Sequence, residues 1–255
     1  MDILIICLAA LLASLLTLFS GFGLGTLLMP VMALFMPLPT AIAVTAVVHL
    51  ANNLFKGALL GARADRGVLL RFGVPALLAA LLGAWLLQRI GQLPPWHEYT
   101  LAGRQFAIEP LKAVIGVLIL IFVALKSHPQ MSRWALPPRQ LPLGGVVSGF
   151  FGGLSGHQGA LRSLFLLKAG LGKTAFIATG ILIAVLVDLA RLAVYGIDLQ
   201  TATERWPLVL AATLAAMLGA IAGTRLLPKV TYRSVQNVVS ALLVVIAAGL
   251  ISGAI

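Results

Sequence analysis

Apolar segments separated by short polar loops follow one another along the whole chain. Many are close to the roughly 20 residues that a helix needs to cross the hydrocarbon of a bilayer. The longer ones are Ile3–Ser20, Thr40–Leu60, Val68–Leu87 and Leu111–Leu125 in the first half, and Leu141–Ser155, Thr174–Val194, Pro207–Leu227 and Val235–Ile255 in the second. This pattern predicts an all-α integral membrane protein.

Two further apolar stretches, Thr26–Phe35 and Ala160–Leu167, are too short to span a bilayer. Each follows a break: Gly21–Thr26 reads GFGLGT, and Gly156–Gly159 reads GHQG. In lipid, backbone groups freed at a break are tolerated only where protein or a water-filled cavity satisfies them. Paired breaks at corresponding places in two halves point to the substrate site of a secondary transporter.

The two halves align without gaps around the breaks, so that Gly25 matches Gly159 and Thr45 matches Thr179. We therefore expect one transmembrane domain over residues 1–255, built from two repeats. Each repeat would consist of a broken or re-entrant helical hairpin and three transmembrane helices. The predicted bounds are 1–127 for repeat 1, 128–139 for a cytoplasmic linker and 140–255 for repeat 2.

Lysine and arginine concentrate in short loops, which mark the cytoplasmic side. Arg63 and Arg71 flank one such loop, and Lys168 and Lys173 flank the second short segment. These loops share one side only if each broken segment returns to the side where it started. Three crossings per half then remain, which predicts inverted repeats, extracytoplasmic termini and an extracytoplasmic loop at residues 91–110. An even number of crossings would give parallel repeats instead.

Composition agrees with a membrane protein: 60% of residues are hydrophobic, 10% are charged and the mean hydropathy is +1.06. The net charge of +11 lies mainly at segment ends, as expected for topology signals rather than nucleic-acid binding. One cysteine and four scattered histidines predict neither a disulfide nor a metal or cofactor site. Asp2 precedes the first apolar run and no Lys or Arg comes before Lys56, so we expect a retained segment rather than a signal peptide.

In the first break, Gly23 and Gly25 permit close backbone approach, and a helix beginning near Thr26 would direct free N–H groups at the break. Helix N-termini bind anions through these donors and the helix dipole. Close helix packing is the alternative role for the glycines.

The second break is more polar. His157 and Gln158 at membrane depth require a partner, a cavity or a ligand, and Gly159 follows them. Arg162 is a candidate counter-charge for an oxyanion, since its planar fork matches oxyanion geometry. As alternatives, His157 and Gln158 would satisfy local backbone groups, and Arg162 would extend to the interface.

A polar stripe follows one face of the Thr40–Leu60 segment. Thr45, His49, Asn52 and Lys56 recur at helical spacing, with Asn53 beside them. Polar stripes on spanning helices face protein or water and are usually functional. The position of Lys56 near the helix end also fits simple extension to the interface.

The Thr174–Val194 segment carries Thr179, Asp188 and Arg191. The spacing of Asp188 and Arg191 allows an ion pair, which is the structural explanation. The functional explanation is a carboxylate that couples transport to protons. No second buried carboxylate is evident, so sodium coupling has less support.

These motifs together resemble the sulfite exporter TauE/SafE family. The first half shows Gly21–Thr26, Pro30, the Pro37–Ala41 turn and Thr45; the second shows Gly149–Gly156 and Lys173–Thr179. The resemblance covers essentially the whole chain. It implies transport, in the export direction, of sulfur-containing anions such as sulfite, sulfonates or sulfoacetate.

We therefore expect a secondary transporter of the bacterial inner membrane that works by alternating access, with a small sulfur-containing anion, the lipid bilayer and a coupling proton as its partners. A passive anion channel and a non-transporting membrane assembly factor are the alternatives. An enzyme is not expected, because Ser155 and His157 are adjacent but have no identifiable acid partner. The sequence is compatible with a homo-oligomer but does not predict one.

Overall fold

Helices form most of the structure. The computed structural model describes residues 2–20, 23–128, 137–195, 205–226 and 232–255. Its helices are α1 (Asp2–Ser20), α2 (Leu24–Met32), α3 (Leu38–Leu60), α4 (Arg66–Gly91), α5 (Pro110–Ser127), α6 (Leu141–Ser155), α7 (Gly159–Leu166), α8 (Lys173–Val194), α9 (Trp206–Leu226) and α10 (Tyr232–Ser252). Most of the predicted linker, together with Gly21 and Phe22 of the first break, lies outside the described residues.

Four of the described helical stretches are long and apolar enough to cross a bilayer. They are Leu38–Arg63, Arg66–Gly91, Lys173–Val194 and Trp206–Gly223. Shorter apolar stretches lie in α1, α5 and α10. These helices agree with the predicted all-α membrane protein.

Helix α4 begins slightly earlier than the apolar pattern predicts. Asp65 precedes its first turn, and one carboxylate oxygen accepts a hydrogen bond from the Val68 amide at 2.8 Å. This side chain satisfies an amide that has no partner within the helix. The polar residues before Val68 therefore belong to the helix and not to the loop.

The helices pair across the two halves of the chain. Helix α1 packs on α9, α4 on α6, α3 on α8 and α5 on α10. Glycine permits the close α4–α6 contact, since a Cβ atom on Gly149 would collide with the Ala76 carbonyl. Gly219 of α9 lies in the same way against the Leu11 carbonyl of α1. Each half thus buries its helices against the other half.

Helices α3 and α8 run antiparallel at the centre of the molecule. His49 contacts Asp188, whereas Gly57, two turns further along α3, lies near Ile181, earlier in α8. The partner numbers therefore run in opposite directions. This pairing brings the polar stripe of α3 against the charged residues of α8.

A β-hairpin replaces part of the predicted loop at residues 91–110. Strands β1 (His97–Leu101) and β2 (Arg104–Ile108) pair antiparallel, and Ala102 and Gly103 form the turn with φ of 50° and 75°. The Tyr99 hydroxyl donates a hydrogen bond to the Ser252 carbonyl at 2.6 Å, which holds the hairpin at the end of α10. In the sequence, a two-residue pair that contains Gly103 separates two short runs, and such a pair is typical of a hairpin turn.

Candidate functional site

The two chain breaks meet inside the helix bundle. Helix α2 begins after Gly23, and α7 begins after Gln158. A Cβ atom on Gly25 would lie 3.5 Å from the Gly156 carbonyl oxygen, in ordinary van der Waals contact. The sequence predicted the two breaks as a pair of half-helix ends, and in the structure they lie in contact.

Both short helices leave their first amides without a side-chain cap. Gly23, at the N-cap position of α2, has no side chain to cap the helix. Gln158, at the N-cap position of α7, makes no side-chain hydrogen bond to its helix. Gly23, Leu24 and Gly159 all border one cavity of about 210 Å³. Two helix N-termini, each a local positive end with free donors, therefore face the same space.

Two cations border this cavity, which we call the inner cavity. Its walls contain Lys56 from α3 and Arg162 from α7. The Nη1 atom of Arg162 is buried without a hydrogen-bond partner. Gly180 lies beside this guanidinium, since a Cβ atom there would lie 3.5 Å from Arg162 Nε, in ordinary van der Waals contact. Across the described part of the chain, no carboxylate lies within ion-pair distance of Lys56 or Arg162.

The remaining walls of the inner cavity combine polar and apolar residues. They consist of His49, Asn53, Ser163, Leu166, Phe176, Ile177, Gly180 and Ile181. The volume of about 210 Å³ is many times the roughly 10–15 Å³ that one water requires on the same measure. It is therefore large enough for a small oxyanion with part of its hydration shell.

A buried polar network lies directly behind the cavity wall. His49 Nδ1 lies 2.5 Å from Asp188 Oδ2, and Arg191 Nη2 lies 2.7 Å from Asp188 Oδ1. The Asn53 amide donates to Asp188 Oδ2 at 3.4 Å. Asp188 is fully buried and does not border the cavity, whereas His49 and Asn53 do. The network thus reaches the cavity through α3.

The predicted ion pair of α8 is present, with an additional partner from α3. Asp188 contacts Arg191 on its own helix and His49 across the helix interface. Arg191 also reaches the second break, because a Cβ atom on Gly156 would lie 2.6 Å from Arg191 Nη1. The ion pair therefore connects α3, α8 and the second break.

The three threonines of the prediction are buried but occupy different surroundings. The Thr179 hydroxyl accepts a hydrogen bond from the Asp65 amide at 2.9 Å, at the start of α4. Thr45 Oγ1 has no partner, and its methyl group lies close to Gly25. Thr26 lies in the first turn of α2. Thr26 and Thr45 therefore lie at the first break, whereas Thr179 lies at the start of α4.

Asn52 faces away from the inner cavity. Its amide donates to the Ser14 hydroxyl of α1 at 3.3 Å, and its Oδ1 atom is buried without a partner. The polar stripe of α3 therefore divides. His49, Asn53 and Lys56 border the cavity, whereas Asn52 packs towards α1.

His157 and Gln158 fill the second break without bordering the inner cavity. The His157 ring stacks on Phe122 with centroids 5.7 Å apart, and its Nδ1 donates to the Ser155 carbonyl at 2.7 Å. His157 Nε2 and both polar atoms of the Gln158 side chain are buried without partners. These polar atoms without partners lie at the start of α7.

A second cavity, the outer cavity, lies at the other end of α3 and α8. It has a volume of about 220 Å³ and is bordered by Pro39, Leu87, Gln88, Gly91, Gln92, Leu111 and Tyr195. The Tyr195 hydroxyl donates to the Gly153 carbonyl at 2.6 Å, and the Gln88 amide donates to the Val194 carbonyl at 2.9 Å. These contacts tie α6 and α4 to α8 between the outer cavity and the second break.

Lys56 is the residue whose place in the site the sequence did not predict. It belongs to the α3 stripe by spacing, but only the fold places it in the wall of the same cavity as Arg162. The stacking of Phe122 on His157 had no signal in the sequence, because aromatic residues are common in apolar helices. No group of three metal-ligating side chains occurs among the residues whose side chains are described.

Comparison with protein-family models gives one assignment. The model of the sulfite exporter TauE/SafE family matches residues 6–250, nearly the whole chain. Comparisons with curated proteins and with solved structures gave no match. The chain belongs to the TauE/SafE family of sulfite exporters.

Proposed function

We propose that this protein exports a small sulfur-containing anion, such as sulfite or an organosulfonate, and holds it in the inner cavity. One observation carries the proposal. Two uncapped helix N-termini and two cations without ion-pair partners face a single cavity between the breaks.

The chemistry of these groups fits an oxyanion. Amide N–H groups at a helix start bind oxygen acceptors, and the helix dipole favours negative charge. Arg162 adds a planar set of donors, and Lys56 adds a compact charge in the same cavity. An anion would give the buried Arg162 Nη1 atom the partner that it lacks.

Membership of the family is the argument for a sulfur-containing substrate. Sulfite, sulfonate and sulfate groups share several equivalent oxygen atoms around one centre, and this geometry suits convergent N–H donors. The cavity itself would accept more than one of these anions. Membership of a sulfite exporter family favours the sulfur oxyanions among them.

Alternating access between inverted repeats would move the anion across the membrane. The corresponding helices α3 and α8 pack antiparallel, as expected for inverted repeats over residues 1–127 and 140–255. The inner and outer cavities lie towards opposite ends of these helices. Rocking of one repeat against the other would close the inner cavity and connect the breaks to the outer one.

In this proposal the inner cavity opens to the cytoplasm of a bacterium. Its walls approach the ends of α3 and α8 that carry Arg63 and Lys173, which the positive-inside bias assigns to the cytoplasmic side. Both termini would then be extracytoplasmic. Proton coupling would act through the network around Asp188 and Arg191.

Flux into proteoliposomes tests the function. Radiolabelled sulfite, sulfate and a small sulfonate would be offered to wild type, Arg162→Gln and Lys168→Gln, with and without a pH gradient. Lys168 is an exposed lysine just beyond α7 and is the matched control. We expect saturable flux of a sulfur anion in wild type and the control.

In Arg162→Gln, loss of a charge-assisted hydrogen bond, worth roughly 1.5–3 kcal/mol, should raise the apparent KM about 10- to 100-fold. Accelerated exchange against unlabelled anion on the far side would identify a carrier rather than a channel. Folded protein that carries none of the three anions would contradict the proposal.

A further inference from the structure

The geometry points to His49 as the residue that takes up the coupling proton, with Asp188 as the residue that positions it. This inference rests on the proposed anion transport and adds the identity of the proton carrier. It begins from the fact that Asp188 is fully buried and does not border the inner cavity.

Both oxygens of Asp188 are buried and lie away from the inner cavity, so the carboxylate does not meet cavity water directly. Its Oδ2 atom faces His49 Nδ1 and the Asn53 amide, and its Oδ1 atom faces Arg191. A proton placed on this carboxylate would leave Arg191 as a buried charge without its counter-charge, which is unfavourable. Asp188 is therefore held as the anionic partner of Arg191.

His49 connects this network to the cavity. A carboxylate oxygen can only accept, so Nδ1 carries the hydrogen and donates to Asp188 Oδ2. The other ring nitrogen, Nε2, lies 3.4 Å from the Asn53 amide and 3.9 Å from where a Cβ atom of Gly23 would be, at the first break. With Nδ1 occupied, Nε2 offers the lone pair that can bind a proton.

The charged groups around His49 come from three helices. Asp188 and Arg191 face it from α8, Lys56 lies two turns further along α3, and Arg162 contributes from α7 across the cavity. Among the described residues of α2, Gly23 and Leu24 border the cavity and bring no charge. Asp188 and Arg191 together are neutral, so a proton on His49 adds one positive charge facing the anion.

This charge balance determines the direction of coupling. A proton from cavity water bonds to His49 Nε2 while the Nδ1–H bond to Asp188 stays intact. The resulting imidazolium and a bound anion stabilise each other, and each leaves more readily once the other has left. Proton and anion should therefore travel together in the same direction.

The test measures anion and proton movement in the same proteoliposomes. The substrate is a sulfonate that wild type carries and whose charge does not change between about pH 5 and 8, where histidine titrates. A trapped pH-sensitive dye reports proton entry. The variants are His49→Gln, Asp188→Asn, the charge-neutral pair Asp188→Asn/Arg191→Gln, and His97→Gln as a control on the exposed hairpin.

In His49→Gln we expect the proton signal per anion to fall at least tenfold and the pH dependence of flux to flatten. Asp188→Asn, or the double variant if the single one does not fold, should keep proton movement with the anion, because His49 still borders the inner cavity in both. His97→Gln should match wild type.

Full proton movement in folded His49→Gln would overturn the inference, as would anion flux without protons in wild type. Loss of coupling in both Asp188 variants but not in His49→Gln would make Asp188 the carrier and would also overturn it. Absence of anion flux in wild type would instead count against the proposed function.

Discussion

Gly156 shows how one residue determines the geometry of the site. It ends α6 with φ of +76°, a conformation that side chains rarely adopt, and so turns the chain towards α7. The space where its Cβ would be is occupied by Arg191, whose Nη1 atom would lie 2.6 Å away. Because Arg191 is almost completely buried, its guanidinium has little room to withdraw.

For Gly156→Ala we expect two costs. The left-handed conformation alone costs about 1–2 kcal/mol, and displacement of Arg191 from Asp188 adds to it. Gly170→Ala is the matched control, since Gly170 has φ of +74° and no atom within 4 Å of its Cβ position. Thermal unfolding in detergent should show a larger loss of Tm for Gly156→Ala. Equal losses would contradict crowding by Arg191.

At the scale of elements, the contact between α4 and α6 depends on glycine. Gly145, Gly149 and Gly153 form one face of α6, and a Cβ on any of them would collide with the backbone of α4. Without a hydrophobic driving force between helices in lipid, such close packing is a main source of association. The contact also fixes the helix that leads into the second break.

Gly149→Ala should therefore destabilise the protein, by about 1–3 kcal/mol as expected for overpacking. Gly57→Ala is the control in another spanning helix, because its Cβ would meet Leu182 and Ile181 at the ordinary distances of 3.6 and 3.8 Å. That change should be neutral or stabilising, by up to about 1 kcal/mol from helix propensity. A Tm that falls equally in both variants would show that close packing is not the cause.

The sequence predicted elements better than it predicted contacts between them. The helix starts after Gly23 and Gln158 and the stripe of α3 follow from local composition and spacing. The contact between His49 and Asp188 joins residues in different halves of the chain, and no local pattern specifies such a pair. The opposite placements of Asn52 and Asn53 likewise depend on which neighbour each side chain meets in the folded bundle.

For the whole molecule, the two cavities define the state of the transporter. The inner cavity reaches the breaks, whereas the outer cavity is separated from them by the Tyr195–Gly153 and Gln88–Val194 hydrogen bonds. We interpret this arrangement as the state open towards the predicted cytoplasmic side. In the proposed rocking of one repeat against the other, movement to the opposite state would have to break the Gln88–Val194 hydrogen bond, which joins the two repeats.

Cysteine labelling tests this interpretation. In a Cys7→Ser background, which removes the single native cysteine, Ser163→Cys would probe the inner cavity and Gln92→Cys the outer one. A membrane-impermeant maleimide should label Ser163→Cys in inside-out vesicles and Gln92→Cys in right-side-out vesicles. Saturating sulfur anion should protect Ser163→Cys alone. Labelling of both positions from one side would contradict cavities that open to opposite sides.

The packing of α1 against α9 has a consequence for biosynthesis. Leu11 and Gly219, which meet in this contact, are separated by about 200 residues, so at roughly 5–20 residues per second the first helix leaves the ribosome some 10 to 40 s before its partner. During this interval the first helix must stay in the bilayer, or with the insertion machinery, without the neighbour that covers it in the finished protein. Its native surroundings can form only near the end of translation.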